Sequence, residues 1–221
     1  MNSPFSRRQS IWGYKNGKLT RPVAVTLPAK PESRKRWLTR QEAAKLIMAA
    51  RTEKARLYMP LFILLGLYTG RRKEAILSLR WPQVDLERGL IDFEVPGRQR
   101  TKKQRGAVPI PRKLLPHLRR ARMRGTEMGF VLHINGNPIG DIKKGFAAAC
   151  KRAGLEDVKP HTLRHTAATW RMQSGIGAWE AAGFLAMSEK ILIEVYGHHH
   201  PDHMRDAAEA TGKKSFRRIS A

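Results

Sequence analysis

The segment His161-Thr162-Leu163-Arg164-His165-Thr166 sets an imidazole and a guanidinium one helical turn apart, and Val195-Tyr196-Gly197-His198 supplies a phenol downstream. Arginine offers a rigid fork of donors that matches phosphate oxygens. A tyrosine hydroxyl serves as a covalent nucleophile once its partner oxygen is activated. The chain has 221 residues with 43 Lys+Arg against 18 Asp+Glu, a formal charge of +25. Its isoelectric point of about 11.2 implies a polyanionic partner. Together these features point to chemistry on a nucleic-acid backbone. Charge alone says less, since a ribosomal or nucleoid protein carries the same excess and most single Lys and Arg residues are solvated surface groups.

The elements that must hold these groups can be read from local pattern. Residues 1–36 form a basic lead-in broken by Pro22, Pro28 and Pro31, with a short helix expected around Ile11 and Trp12 between Ser6 and Leu19. Thr39-x-x-Glu42 reads as a capping box, and Ala43, Leu46, Ile47 and Ala50 continue one apolar face. A helix from about Leu57 to Thr69 is apolar on nearly every side, so it belongs at the buried centre, with Gly70 as its stop. Arg71-Arg72-Lys73 then opens a helix to Leu79. Leu90 to Val95 alternates with the period of a strand, and Ala107-Val108-Pro109-Ile110 reads as an edge strand because proline cannot donate to a central ladder. Between them runs the basic stretch Arg98 to Arg105. From Pro111 onward helices dominate: one around Leu114, Leu115 and Leu118, one capped by Asp141 and closed by Gly154, then Thr162–Ser174, Ala178–Ala186 and Ser188–Tyr196. Asn135-Gly136-Asn137-Pro138 is a turn. The pattern is that of an α+β fold, mostly α, with a small antiparallel β-sheet.

Composition also excludes. Hydrophobic residues make up 41% of the chain, enough for a core. The longest apolar run, Leu61 to Leu67, is too short to span a bilayer, and Met1 to Ser10 lacks the apolar stretch of a signal peptide. A single cysteine, Cys150, rules out an intrachain disulfide and a Cys-based zinc finger, so a reducing, cytoplasmic setting is expected. Cys150 itself, near Ala147 and Ala148, reads as a small buried apolar residue. His198-His199-His200 with His203 is a weak metal set, because consecutive histidines rarely converge on one centre. No metal and no cofactor is expected. His198 is expected to pack or hydrogen-bond beside the site, His165 to buttress Arg164, Arg71 to be a surface charge, and Trp170 and Trp179 to pack in the core.

Five local elements occur in a fixed order: Thr69-Gly70-Arg71-Arg72, Thr101-Lys102, His161-x-x-Arg164, Leu185-Ala186-Met187-Ser188 and Tyr196-Gly197-His198. This order and spacing resemble the catalytic domain of the tyrosine recombinases, the phage integrase family, over roughly residues 38–204. The resemblance implies a site-specific DNA recombinase. Its catalytic set would be Arg72, Lys102, His161, Arg164, Met187 and Tyr196. By that likeness Arg72 and Arg164 clamp the non-bridging oxygens of the scissile phosphate. His161 adds a hydrogen bond or handles a proton. Lys102, with Lys103 as the adjacent alternative, protonates the leaving 5′ oxygen, and Tyr196 forms a 3′-phosphotyrosyl link. The partners implied are double-stranded DNA and further copies of the chain in a multimer, with no membrane and no small-molecule substrate. Bound to DNA, the protein would be associated with the nucleoid.

Two departures accompany the resemblance. Met187 stands where the family usually has His or Trp in a Leu-Gly-His-Ser-like segment. Residues 1–37 are also too few for the N-terminal core-binding domain, so they are expected to be a remnant of it with its linker, and residues 205–221 a basic C-terminal tail. The rival readings are a shortened relative that binds DNA as a regulator or decoy, and a type IB topoisomerase-like enzyme that rejoins the original strand.

Overall fold

The structure, a computed structural model, describes residues 4–21, 23, 36–52, 55, 57–94, 106–124 and 129–210. The chain divides into two compact units, Met1–Lys35 and Arg36–Ala221. In the first, helix α1 (Pro4–Lys15) carries Ser10, whose hydroxyl donates to the Val23 carbonyl at 3.1 Å and accepts from the Val23 N–H at 2.7 Å. The Lys18 ammonium lies 4.8 Å over the Trp12 ring.

The second unit is built on two helices packed against each other. Helix α2 (Arg40–Ala49) opens with the expected capping box: the Thr39 hydroxyl accepts from the Glu42 N–H while the Glu42 carboxylate accepts from the Thr39 N–H. Helix α3 (Met59–Thr69) is buried from Leu61 through Leu67, as its all-round apolar sequence requires. Helix α7 (Pro160–Gln173) packs directly on it, because Gly66 leaves room: a Cβ there would stand 2.7 Å from Leu163 Cδ1. The segment before α2 is tied to α7 at both polar groups of Leu38. Its N–H donates to Thr166 Oγ1 at 2.9 Å and its carbonyl accepts from Trp170 Nε1 at 3.0 Å. The Arg40 guanidinium sits 3.5 Å over the Trp170 ring.

The remaining elements wrap this pair. Helix α4 (Lys73–Leu77) leads through a short 3₁₀ turn (Trp81–Gln83) into an antiparallel sheet of β1 (Val84–Asp85), β2 (Leu90–Asp92) and β3 (Ala107–Pro109), in that order. Ile91 faces Val108 in the register, both buried, and Pro109 lies on the edge strand as expected. The second strand ends at Asp92 rather than Val95, and β1 went unread because two residues carry no periodicity. Helix α5 (Leu115–Arg122) begins after a turn at Pro111–Leu114 rather than at Pro111. The 135–138 turn closes a hairpin of β4 (His133–Ile134) and β5 (Asn137–Pro138), with Asn135 and Gly136 both at positive φ. Helix α6 (Lys143–Arg152) follows, with the Asp141 carboxylate accepting from the Lys143 N–H just ahead of it. Its buried face is Phe146, Ala149 and Cys150, while Ala147 and Ala148 face solvent. Helices α8 (Ala178–Leu185) and α9 (Glu189–Tyr196) match expectation, Ser188 capping α9. A short α10 (Arg205–Ala210) occupies part of what reads as tail.

Two apolar clusters result. The larger joins α2 to α6 and the sheet, and α7 reaches it through Leu163 and Trp170. The smaller holds Ala167, Ala168 and Met172 of α7, Ala181, Ala182 and Leu185 of α8, and Leu192 and Tyr196 of α9. Helix α7 therefore links both, and its sequence carries the His-x-x-Arg motif.

Candidate active site

Helix α3 ends at Gly70 in the left-handed conformation, φ 63° and ψ 14°. The exit turns Arg71 inward and leaves Arg72 half-buried at the start of α4. Arg71 is only 4% exposed, not a surface charge. Its Nη2 donates to the Gly106 carbonyl at 3.3 Å and its guanidinium lies 5.1 Å from the Phe93 ring centre. Burial, with Arg72 adding repulsion, pulls its pKa down to about 10, so it stays charged at neutral pH.

Helix α7 begins at Pro160, whose fixed φ and missing N–H suit the first turn. His161 and Arg164 follow on one face and line a cavity of about 510 Å³ with Arg72, Lys73, Lys143 and Lys159. The unpaired N–H groups of a helix start add positive potential to that cationic rim. Arg164 is 5% exposed. Its Nη1 donates to the carbonyls of Gly70 and Leu185, each at 2.6 Å, and its Nη2 to that of Ala186 at 3.2 Å. Three carbonyls compensate a buried cation, and two of its five N–H groups are left for an anion in the cavity. Desolvation first, then Arg72, lowers its pKa to about 10. Burial likewise lowers the pKa of His161, assisted by Arg164 and Arg72, so its imidazole is neutral at pH 7.

The Tyr196 side chain enters from the end of α9 and is 6% exposed. Its Oη lies 2.6 Å from Nδ1 of His165. Burial raises the phenol's pKa and the nearby Arg164 charge opposes that rise. His165 stacks edge-on against His161, ring centres 4.7 Å apart. Burial, then His161 and Arg164, drives the His165 pKa down to about 4. Met187 packs against the small cluster that contains Tyr196. The residue before it, Ala186, ends α8 at φ 49°, a left-handed conformation that strains any residue with a Cβ.

The arrangement thus brings Arg72, His161 and Arg164 to one cavity, with Tyr196 close enough to feel the Arg164 charge and Met187 packed on the apolar cluster that holds Tyr196. Lys102 and Lys103 lie outside the described residues. The hydrogen bond of His165 Nδ1 goes to the tyrosine rather than to Arg164. Sequence reasoning therefore missed its position beside the phenol, although its spacing from His161 put both imidazoles on one helix face. Lys143 and Lys159, also missed, gave no local signal. Trp170 packs in the core, but Trp179 is 79% exposed. His198 is exposed, its ring 4.0 Å from that of His199 rather than in the site. Among the described residues no group of three His, Cys, Asp or Glu side chains could hold a metal ion. No described helix is long and apolar enough to cross a membrane.

The fold is shared with solved integrases. The Tn1549 transposon integrase, solved in complex with transposon right end DNA, superposes with a TM-score of 0.73 at 16% identity, over 94% of this chain and 78% of that one. The fold is that of the tyrosine recombinase catalytic domain. The phage integrase family pattern matches residues 36–203, and the chain belongs to that family. The integrase of Salmonella phage P22 is 25% identical over 213 residues, 86% of this chain and 50% of that protein. The tyrosine recombinase XerA of Thermococcus kodakarensis is 28% identical over 192 residues, 82% of this chain and 64% of that protein. The chain thus spans between half and two thirds of the length of these relatives.

Proposed function

We propose that the chain is the catalytic part of a site-specific DNA recombinase that cuts and rejoins one strand through a 3′-phosphotyrosyl intermediate. The observation that carries this reading is the convergence of Arg72, His161 and Arg164 on one cavity, with the Tyr196 hydroxyl beside Arg164. Tyr196 Oη attacks phosphorus and the bond to the 5′ oxygen breaks. Arg72 and the two remaining N–H groups of Arg164 take up the growing charge on the non-bridging oxygens. His161, neutral, hydrogen-bonds to the same phosphate, and Lys102 delivers a proton to the leaving 5′ oxygen. The phosphotyrosine conserves the phosphodiester bond energy, so rejoining to another strand needs neither ATP nor metal. Lys143 and Lys159 extend the cationic rim along the backbone, as the formal charge of +25 favours.

Double-stranded DNA is the substrate in this reading, and strand exchange requires several copies of the chain on it. Cytoplasmic action, at the nucleoid when bound, fits a substrate of this kind. Residues 1–37 would then correspond to the end of a core-binding domain and its linker, residues 38–204 to the catalytic domain and residues 205–221 to a basic tail. The assay is adduct capture. A pool of nicked duplexes of random sequence is incubated with the protein, and SDS-resistant protein–DNA complexes are recovered and sequenced. Wild type is expected to give an adduct and Tyr196→Phe none. A wild type that binds the pool yet yields no adduct refutes the reading.

A further inference from the structure

We propose that His165 is the general base for Tyr196, accepting the phenolic proton at Nδ1 as Oη attacks phosphorus; this rests on the strand-cleavage reading above. The tyrosine enters the reaction protonated, since burial raises its pKa, and its proton must leave as the Oη–P bond forms. Among the described side chains, the partner of Oη is His165 Nδ1, at 2.6 Å, well within proton-transfer reach.

The polarity of that bond follows from the environment. His165 is desolvated and faces His161 and Arg164 on its own helix and Tyr196 on α9, with Arg72 facing the first two. That company keeps the imidazole neutral, so it has one N–H and one bare nitrogen. A phenol is a much better donor than a neutral imidazole N–H, and imidazole nitrogen a much better acceptor than phenol oxygen. The O–H therefore donates to Nδ1, and Nε2 carries the ring proton. His161 is less well placed for the task, because it lines the cavity where the phosphate would lie and meets His165 edge-on.

The step balances. On cleavage the Oη–P bond forms, the P–O5′ bond breaks, the phenolic proton moves to His165 Nδ1, and the 5′ oxygen takes a proton from the lysine acid. On rejoining, the 5′ hydroxyl attacks, its proton returns to the lysine, and Oη departs and recovers its proton from His165. A base held neutral among cations is weak in the resting site. It strengthens as negative charge builds on the phosphorane beside it, so proton transfer is coupled to bond formation.

Two experiments test this. Nδ1 of His165 in the free protein is read by 15N NMR; an unprotonated Nδ1 with a protonated Nε2 is expected, and the reverse tautomer overturns the proposal. The second experiment uses a duplex recovered from the random pool, in single-turnover cleavage by wild type, His165→Gln and His165→Ala, with folding checked by thermal melting. Each variant is expected to cleave about 10²-fold more slowly or worse while binding the duplex as wild type does. Added imidazole should restore cleavage to His165→Ala but not to His165→Gln. The variants' rates should climb about tenfold per pH unit toward the tyrosine pKa, where the wild-type profile is level. Wild-type rates and an unchanged pH profile in both variants overturn the proposal and leave the cleavage reading standing. A wild type that forms no adduct removes both, and the Tyr196→Phe control separates the two failures.

Discussion

Replacing Gly70 by alanine should damage the fold and the site together, and the size of the effect can be worked from two glycines. Gly70 and Gly154 both follow helices in nearly the same left-handed conformation, φ 63° and 66°. A Cβ at Gly154 meets nothing within 4 Å, so Gly154→Ala reports the backbone cost alone, about 1 kcal/mol. A Cβ at Gly70 would stand 2.3 Å from Leu185 Cδ2 and 3.1 Å from Ala167 Cβ. Leu185 is fully buried and has nowhere to swing, so overpacking adds about 1–3 kcal/mol. The expected loss for Gly70→Ala is therefore about 2–4 kcal/mol. The carbonyls of Gly70 and Leu185 are two of the three that hold Arg164, so any shift that relieves the clash also moves that guanidinium. Urea unfolding followed by tryptophan fluorescence gives both values, compared at a common m. If the two variants unfold within about 0.5 kcal/mol of each other, the packing argument is wrong.

Four other outcomes are expected. Trp170→Phe removes the donor to the buried Leu38 carbonyl and weakens the stack with Arg40, so urea unfolding should show a loss of about 2 kcal/mol. A loss under about 0.5 kcal/mol would contradict that. Arg164→Lys offers three donors where the carbonyls already use three, leaving none for phosphate; the melting temperature should change little while adduct yield collapses, and full adduct formation would count against Arg164 as a phosphate ligand. The pKa of His165 is depressed to about 4 in the folded state, so the unfolded chain binds its proton first on acidification. The contribution is intact above the unfolded value near 6.5 and is lost as pH falls toward 4; melting temperatures should drop across that window, less steeply in His165→Gln. Cys150 is buried and its thiol is pushed up to about 11, so a disulfide reagent should leave it untouched until denaturant is added, and rapid native labelling would contradict its placement.

What the sequence made legible was what depends on neighbours along the chain. The Thr39–Glu42 capping box, the apolar run ending at Gly70 and the helix from Ser188 to Tyr196 follow local patterns, and each appears where its residues put it. The sheet was legible only where alternation ran long enough: β2 and β3 could be read, whereas the two-residue β1 exists only because Val84 and Asp85 meet Ile91 and Leu90. The order of the motif residues made Arg72, His161, Arg164 and Tyr196 candidates, but not their surroundings. Nothing along the chain says that Arg71 turns into the interior onto Phe93 while its neighbour stays at the rim, because that depends on the left-handed exit at Gly70 and on Gly106 arriving from the sheet. Trp179 failed for the opposite reason, since a tryptophan in a short helix has core character by type and an exposed face by geometry.

The position of Arg164 explains why one fold can tolerate so dense a cationic site. Arg71 and Arg164 are buried and Arg171 is half-buried, and each guanidinium donates to backbone carbonyls, at Gly106, at Gly70, Leu185 and Ala186, and at Tyr68 and Ala167 respectively. Carbonyl dipoles offset desolvation without neutralising charge, whereas a carboxylate partner would cancel the field that a phosphate must feel. Arg164 in turn joins the end of α3, which leads to Arg72 at the start of α4, to the end of α8, which leads to Met187 and α9. In the proposed reading, a phosphate drawn by that guanidinium would meet Arg72 on the same cavity wall, with little reorganisation left for the reaction itself. Met187 contributes packing to this arrangement and no proton, which leaves His165 as the described group in contact with the phenol oxygen.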